Sequence, residues 1–261
     1  MQQRSCLQVT WHVWHAVFMR EIMARITADR MAAPWLVIEP ILHIAVMIGI
    51  RQLLGRNQLI PGADFVSWLL VGILAFFLFR DALTRSMNAI NANQALFAYR
   101  QVHPFDPVFI RAFVELLLRS SIFLLLILLL NLFDHPLWPI EALNALEAWL
   151  ALWCLGFGLA LIFSVGLTIL PESGNVVPLL IIPLYVLSGA MIPLQFLPHG
   201  LREVLVYNPL VHGIETIRLS FFSTYHVPFT VDMTYLWLWS CNCLLLGLML
   251  HVRYKRRLAA H

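Results

Sequence analysis

Three charged residues at four-residue steps, Arg111, Glu115 and Arg119, stand inside an apolar run long enough to cross a bilayer. The spacing places them on one helix face, with Arg119 roughly 18 Å along the axis from Pro107 at 1.5 Å per residue. A charge that deep costs about 2.5–3.5 kcal/mol on insertion scales, so the face must turn toward protein or a wet cavity. Two roles fit: Glu115 pairs with one of the flanking arginines, or the arginines meet an anionic substrate. Glu39 and His43 lie one turn apart near the entrance of an earlier apolar run. They either satisfy a local hydrogen bond or touch substrate. Trp149, Trp153 and Phe157 also recur at four-residue steps. Such a stripe stacks on sugar rings along a path, or packs and anchors the helix at the interface. Tyr185 completes the candidate path residues.

The remaining chemistry-bearing residues argue against catalysis. Asp-x-Asp, His-Glu-x-x-His and Gly-x-Ser-x-Gly are absent, and His212 with Glu215 is too small a set for a metal site. The chain also lacks Gly-x-x-x-x-Gly-Lys-[Ser/Thr], and Lys255 is its only lysine. Nucleotide energy would therefore have to come from another polypeptide that binds ATP and magnesium, and no cofactor is expected in this chain. Of Cys6, Cys154, Cys241 and Cys243, three lie in apolar runs and read as small hydrophobes, with no disulfide framework.

These residues must be positioned by membrane helices. At 61% hydrophobic and 12% charged, with mean hydropathy +0.80, the chain has too little polar surface for a soluble globule. A net charge of +3, spread in small juxtamembrane groups, is too small to argue for nucleic acid, and no nucleic-acid partner is expected. The expected fold is all-α and polytopic, a single membrane domain with six transmembrane helices at 35–54, 65–83, 107–132, 145–170, 176–192 and 233–252. Residues 5–30 read as an amphipathic helix in the headgroup plane or packed on a neighbour. No signal-peptide order precedes it, so it is kept in the mature fold.

Two polar interludes interrupt the spans. Asn88 to Arg111 reads as a short helix over 91–101, a proline-punctuated turn, and a new helix capped by Asp106 with Pro107 in its first position. Presented between two spans, this helix is either a handle for an outside partner or a solvated connection. Residues 193–232 are too polar to span and too apolar for a plain loop, which suggests a re-entrant hairpin. The positive-inside rule puts both termini and the handle in the cytoplasm, and the hairpin outside.

Certain runs resemble a known family. Met19-Arg20-Glu21 through Trp35-Leu36-Val37-Ile38-Glu39-Pro40, the loop Asn91 to Arg100, and Tyr207-Asn208-Pro209-Leu210-Val211-His212 with Glu215 and Arg218 are similar to permeases of type-2 ABC exporters, nearest the capsular polysaccharide branch. The resemblance implies a homodimer in the bacterial inner membrane, two copies of a separate ABC ATPase, and a lipid-linked polysaccharide as cargo. A periplasmic adaptor and an outer-membrane channel would continue the route. It also implies that Asn93, Gln94, Leu96, Phe97, Tyr99 and Arg100 dock the ATPase. Tyr207, Asn208, Pro209, His212, Glu215 and Arg218 would belong to a periplasmic gate. The run Met31-Ala32-Ala33-Pro34 departs from the family pattern before the first span. O-antigen, teichoic acid or another lipid-linked cargo is the nearest alternative, with an intramembrane transferase or a passive scaffold further away.

Overall fold

The computed structural model describes residues 6–27, 31–53, 60–99, 101–133 and 137–260. Among them the architecture is all-helical, in chain order α1 (Cys6–Thr27), α2 (Ala32–Leu53), α3 (Phe65–Ser86), α4 (Ala89–Ala92), a 3₁₀ turn (Gln94–Ala98), α5 (Phe105–Leu132), α6 (Ala142–Ile169), α7 (Ser173–Leu187), a second 3₁₀ turn (Leu194–Phe196), α8 (His199–Leu205), α9 (Pro209–Phe221) and α10 (Met233–Ala260). Five helices, α2, α3, α5, α6 and α10, are long and apolar enough to cross a membrane. The expected all-α, multi-span character holds.

The apolar helix α3 is the hub. It contacts α2, α5, α6, α7 and α9, and almost its whole length from Ser67 to Leu83 is buried. Asp64 starts it by accepting from the Ser67 amide at 3.0 Å, an N-cap that satisfies an orphan backbone donor. The small-residue face of α6 lets backbones approach: a methyl at Gly156 would stand 2.7 Å from the Phe79 carbonyl oxygen of α3. The same logic, unforeseen in the sequence, joins α6 to α10. There a Cβ at Gly158 would lie 2.8 Å from the Leu244 amide nitrogen.

Several expected boundaries move. The fifth expected span, 176–192, is the 15-residue α7, only about 22 Å long at 1.5 Å per residue. Gly189, in the left-handed region at φ 73°, follows it two residues on and turns the chain. The third span starts at Phe105 instead of Pro107. The last helix continues past Val252 to Ala260, because Arg253, Lys255, Arg256 and Arg257 favour a helix C-terminus and the continuing turns can stand in water.

α1 packs along α5, with Val17 buried beside Ile110 and Val114 and Trp14 against Phe109 at 5.0 Å. Packing on a neighbour, one of the two readings of residues 5–30, is seen in the described part. Trp11 remains exposed.

Candidate functional site

The charged face of α5 is the centre of an ion-pair ladder. Arg111 donates to both oxygens of Glu21 on α1, at 2.8 and 2.9 Å. One turn on, Glu115 Oε1 accepts from Arg25 of α1 at 2.9 Å and lies 3.4 Å from Arg85 of α3. One turn further, Arg119 donates to Asp81 of α3 at 2.6 Å through Nε, with a second contact through Nη2. Its Nη2 also reaches Glu39 of α2 at 3.0 Å. Arg80 closes the top rung on Glu39 at 2.8 Å and on Asp81 at 2.8 Å, its guanidinium 4.0 Å from the Phe77 ring centre.

The expected pairing of Glu115 with Arg111 or Arg119 is thus replaced by pairing across helices. Residues four apart on one face are already held at a fixed spacing, whereas partners from facing helices reach in head-on. Sequence reasoning missed Glu21, Asp81, Arg25 and Arg85 as members. The signal was there in Glu21 and Arg25, themselves four residues apart, and in an acid beside Arg80 at the end of a span.

With Arg20 also on Glu21, six arginines here face four carboxylates, an excess of cations. Between the lower rungs lies a cavity of about 410 Å³ lined by Glu21, Arg25, Arg85, Asn88, Arg111 and Glu115 among others. Arg25 Nη2 and Glu115 Oε2 have no protein hydrogen-bond partner. Burial lowers the Arg25 pKa from its ordinary value, against the opposing pull of Glu115. Because an arginine starts so high it remains a cation. The arrangement can hold an anionic group between Arg25, Arg85 and Arg111.

The loop below this ladder is shorter and more broken than the helix expected over 91–101, being one turn of α4 and a 3₁₀ turn. Asn93 faces inward, 2% exposed, donating to Glu21 at 3.2 Å and to the Ala89 carbonyl at 2.7 Å. Leu96 joins the α1–α5 apolar cluster and Phe97 the main core. Gln94 and Tyr99 are exposed, and Arg100 lies outside the described residues. Asp106 does not cap from outside the helix. Within the first turn of α5, it accepts from the His103 amide at 2.7 Å and from Trp14 Nε1 at 3.0 Å.

On the far end of the bundle, two helices, α8 and α9, occupy the expected excursion, and α9 is buried on most of its positions. Glu215 and Arg218 are 0% exposed and pair at 2.7 Å. Arg218 also donates to the carbonyls of Gly189 and Ala190, at 2.8 and 2.9 Å. Its guanidinium lies 3.4 Å above the Trp68 ring centre. Tyr225 donates to Glu215 at 2.9 Å, and burial, reinforced by that carboxylate, raises the phenol pKa and keeps it a donor.

His212 is fully used. One ring nitrogen is 2.8 Å from the Val206 carbonyl and the other accepts from the Asp232 amide at 3.0 Å. Asn208 caps α9 through Leu210 N at 3.1 Å, ahead of Pro209 at the first turn, and Tyr207 is exposed.

The aromatic candidates pack on their neighbours, and Trp149 also lines an apolar cavity of about 280 Å³. Trp149 stacks on Phe123 at 4.8 Å and donates to Ser120 at 2.9 Å. Trp153 stacks on Phe157 at 5.6 Å and donates to the Ala112 carbonyl at 2.8 Å. His43 makes the local bond, to the Glu39 carbonyl at 2.9 Å. Tyr185 lies 4.8 Å from Phe76 between α3 and α7.

With this geometry in place, the family can be read. The family model for the ABC-2 type transporter matches residues 12–222. The chain belongs to the ABC-2 type transporter family. It is 34% identical over 248 residues to the polysialic acid transport protein KpsM of Escherichia coli, covering 95% of each chain. It is 28% identical to the capsule polysaccharide export inner-membrane protein CtrC of Neisseria meningitidis serogroup A, covering 92% of this chain and 90% of that one. To the capsule polysaccharide export inner-membrane protein BexB of Haemophilus influenzae the identity is 25%, over 97% and 95%. As an ABC-2 membrane domain the chain is a transporter subunit. The matched span holds the whole ladder, the loop and the buried Glu215–Arg218 pair, so these belong to the family domain and not to an appended segment.

Proposed function

We propose that this chain is the permease subunit of an ATP-driven exporter that carries lipid-linked capsular polysaccharide across the inner membrane. The near full-length similarity to KpsM carries the reading. Two copies form the conduit between them, in keeping with a bundle whose central helix α3 is buried along most of its length. A separate ABC ATPase, also in two copies, binds ATP and magnesium and hydrolyses it. A periplasmic adaptor and an outer-membrane channel receive the polymer.

The loop at residues 91–101 is the coupling contact in this reading. Gln94 and Tyr99 are exposed for the ATPase, while Asn93, Leu96 and Phe97 fasten the loop to α1, α5 and the core. Force on the loop thereby reaches Glu21, then Arg111, then the ladder. The anionic end of the cargo enters at the cavity beside Arg25, Arg85 and Arg111. The short α7, with the turn after it, makes the fifth of six crossings, which leaves both termini cytoplasmic. The α8–α9 hairpin, with Tyr207 at its tip, forms the periplasmic gate.

Replacing Phe97 and Arg100 with alanine is expected to spare insertion while uncoupling ATP hydrolysis from export. Normal surface capsule in that double variant would overturn the coupling role. Export of a different glycan in a strain lacking its own permease would move the cargo assignment alone.

A further inference from the structure

Three arginines from three helices line the cavity between the lower rungs, and they are held in different ways. Arg111 of α5 is fixed, its fork spread over both oxygens of Glu21 at 2.8 and 2.9 Å. Arg25 of α1 is fixed by its 2.9 Å bond to Glu115 Oε1. Arg85 of α3 is held by neither device. It stands 3.4 Å from the same Glu115 oxygen, an ion-pair contact, and among the described residues its side chain makes no hydrogen bond. Its side chain is 43% exposed, against 14% for Arg25 and 19% for Arg111.

The order of approach to Glu115 explains the difference. Arg25 occupies Oε1 at bonding distance, so Arg85 comes second to an oxygen that already has its cation. A guanidinium carries five N–H donors, and those of Arg85 are left for solvent or a ligand. Arg85 also lies in the last turn of α3, where the helix dipole favours a cation. Its place is therefore secured without Glu115.

Of the charged residues lining the cavity, Arg25, Arg85 and Arg111 face Glu21 and Glu115, three positive charges against two negative. Arg85 carries the surplus. The volume of about 410 Å³ falls in the ~300–1,000 Å³ range of small-molecule sites and, at about 30 Å³ per water, corresponds to roughly fourteen waters. That is room for an oxyanion together with the group it is attached to.

We propose that Arg85 is the residue that recognises the cargo, leaving Glu115 to fork onto an oxyanion with two acceptor oxygens, a phosphodiester or a carboxylate, while Arg25 keeps Glu115 paired. This rests on the cavity being the entry for the cargo's anionic end, and it names the residue and the exchange by which that end is held. Glu115 is the resting partner that a ligand must displace. A neutral molecule leaves the contact in place, whereas a bidentate anion gains two charge-assisted bonds. Because Glu115 stays on Arg25, the exchange strands no buried charge, the step that makes breaking a buried pair costly.

The test uses the full-length chain in nanodiscs, with Ala24→Cys on the cavity wall in a background free of the native thiols. The labelling rate with a water-soluble maleimide is measured against dimethyl phosphate, a phosphodiester, against glucuronate, a carboxylate, and against glucose. Slowing by dimethyl phosphate assigns the site to the lipid end of the cargo, slowing by glucuronate assigns it to an acidic sugar, and glucose should have no effect. Arg85→Gln should raise the half-protecting concentration roughly tenfold, the worth of about one charge-assisted hydrogen bond. Arg85→Lys should recover part of that loss, and Lys255→Gln, outside the cavity, should change nothing.

Glu115→Gln reads the exchange itself. With the resting partner neutral, the anion should protect at lower concentration than in the unaltered chain, whereas a purely structural role for the pair would weaken protection in both Arg85→Gln and Glu115→Gln. If Glu115→Gln fails to fold, the Arg85→Gln and Arg85→Lys pair decides alone. Equal protection in Arg85→Gln and the unaltered chain would overturn the role of Arg85 and leave the cavity as the entry. No protection of the unaltered chain by either anion, with capsule still reaching the cell surface, would remove the cavity from the path and leave the exporter reading standing.

Discussion

Among the described residues, Arg218 concentrates more interactions than any other side chain at the end of the bundle away from the ladder. It joins α9 to the turn after α7 through two carbonyls, to Glu215, and to Trp68 of α3 by stacking. A lysine there would be a point charge without the planar fork. Arg218→Ala leaves Glu215 buried without its cation, a loss of about 3–5 kcal/mol for a broken buried pair. The measurement is the melting temperature in detergent, where Arg218→Lys should recover only part of the loss. Gly72→Ala tests the same contact from α3, because its Cβ would collide with the Arg218 guanidinium and stand 2.7 Å from the Ala190 carbonyl oxygen. It should destabilise to a comparable degree although glycine-to-alanine ordinarily favours a helix. At this scale the sequence showed which residues mattered and not how they are used. Glu215 and Arg218 are three apart, which reads as a pair. Nothing in local spacing reveals that their face is turned into the bundle, since that depends on Trp68 and Gly72, some 140 residues away.

The relation of α1 to α5 shows what alternating charge does for an element. Pairings rise together along both helices, Trp14 with Asp106, Glu21 with Arg111 and Arg25 with Glu115. Sliding α1 forward by one turn would oppose Glu21 to Glu115 and Arg25 to Arg119, and like charges so placed cost several kcal/mol. The ladder therefore fixes register more than it adds net stability, consistent with the near balance of desolvation and attraction in buried ion pairs. A double-mutant cycle on Arg25→Ala and Glu115→Ala should return a coupling energy of about 1–3 kcal/mol. The charge exchange Glu21→Arg with Arg111→Glu should recover protein accumulation that Glu21→Arg alone loses. A cycle near zero would mean the helices keep register by apolar packing alone. The four-residue spacing on α5 was legible because helix geometry alone demands a shared face. The partners were not, because pairing across helices is decided by tertiary packing. The same limit explains α7, whose two prolines and following Gly189 were visible in the sequence. Both prolines lie inside α7, and its end at Leu187 is followed by a turn whose carbonyls at Gly189 and Ala190 are held by Arg218.

For the molecule as a whole, the number of crossings decides whether force can be applied where the reading needs it. Five helices reach membrane-spanning length; with α7 and its turn as a sixth passage the two ends of the chain share a side, and without it they do not. Arginine distribution favours the six-passage arrangement, because Arg80, Arg85, Arg111 and the basic end of α10 then lie together. Single cysteines at Tyr99, Tyr207 and Ala259, placed in a background free of the native thiols, separate the arrangements. Tyr99 and Tyr207 are exposed in the fold, so protection of either from a water-soluble maleimide in whole cells reports the membrane and not packing. Six passages predict labelling of Tyr207→Cys from outside, with Tyr99→Cys and Ala259→Cys labelled only after permeabilisation. Labelling of Ala259→Cys in intact cells, with Tyr99→Cys still protected, would assign five passages and leave α7 dipping in from one face. In that arrangement the end of α10 would lie across the membrane from the start of α5, yet the two wall one cavity, with His251 and Lys255 beside His103 and Phe105. That shared cavity already ties the end of the last helix to the side of the membrane where α5 begins, so the labelling pattern expected at Ala259 follows from packing as well as from charge.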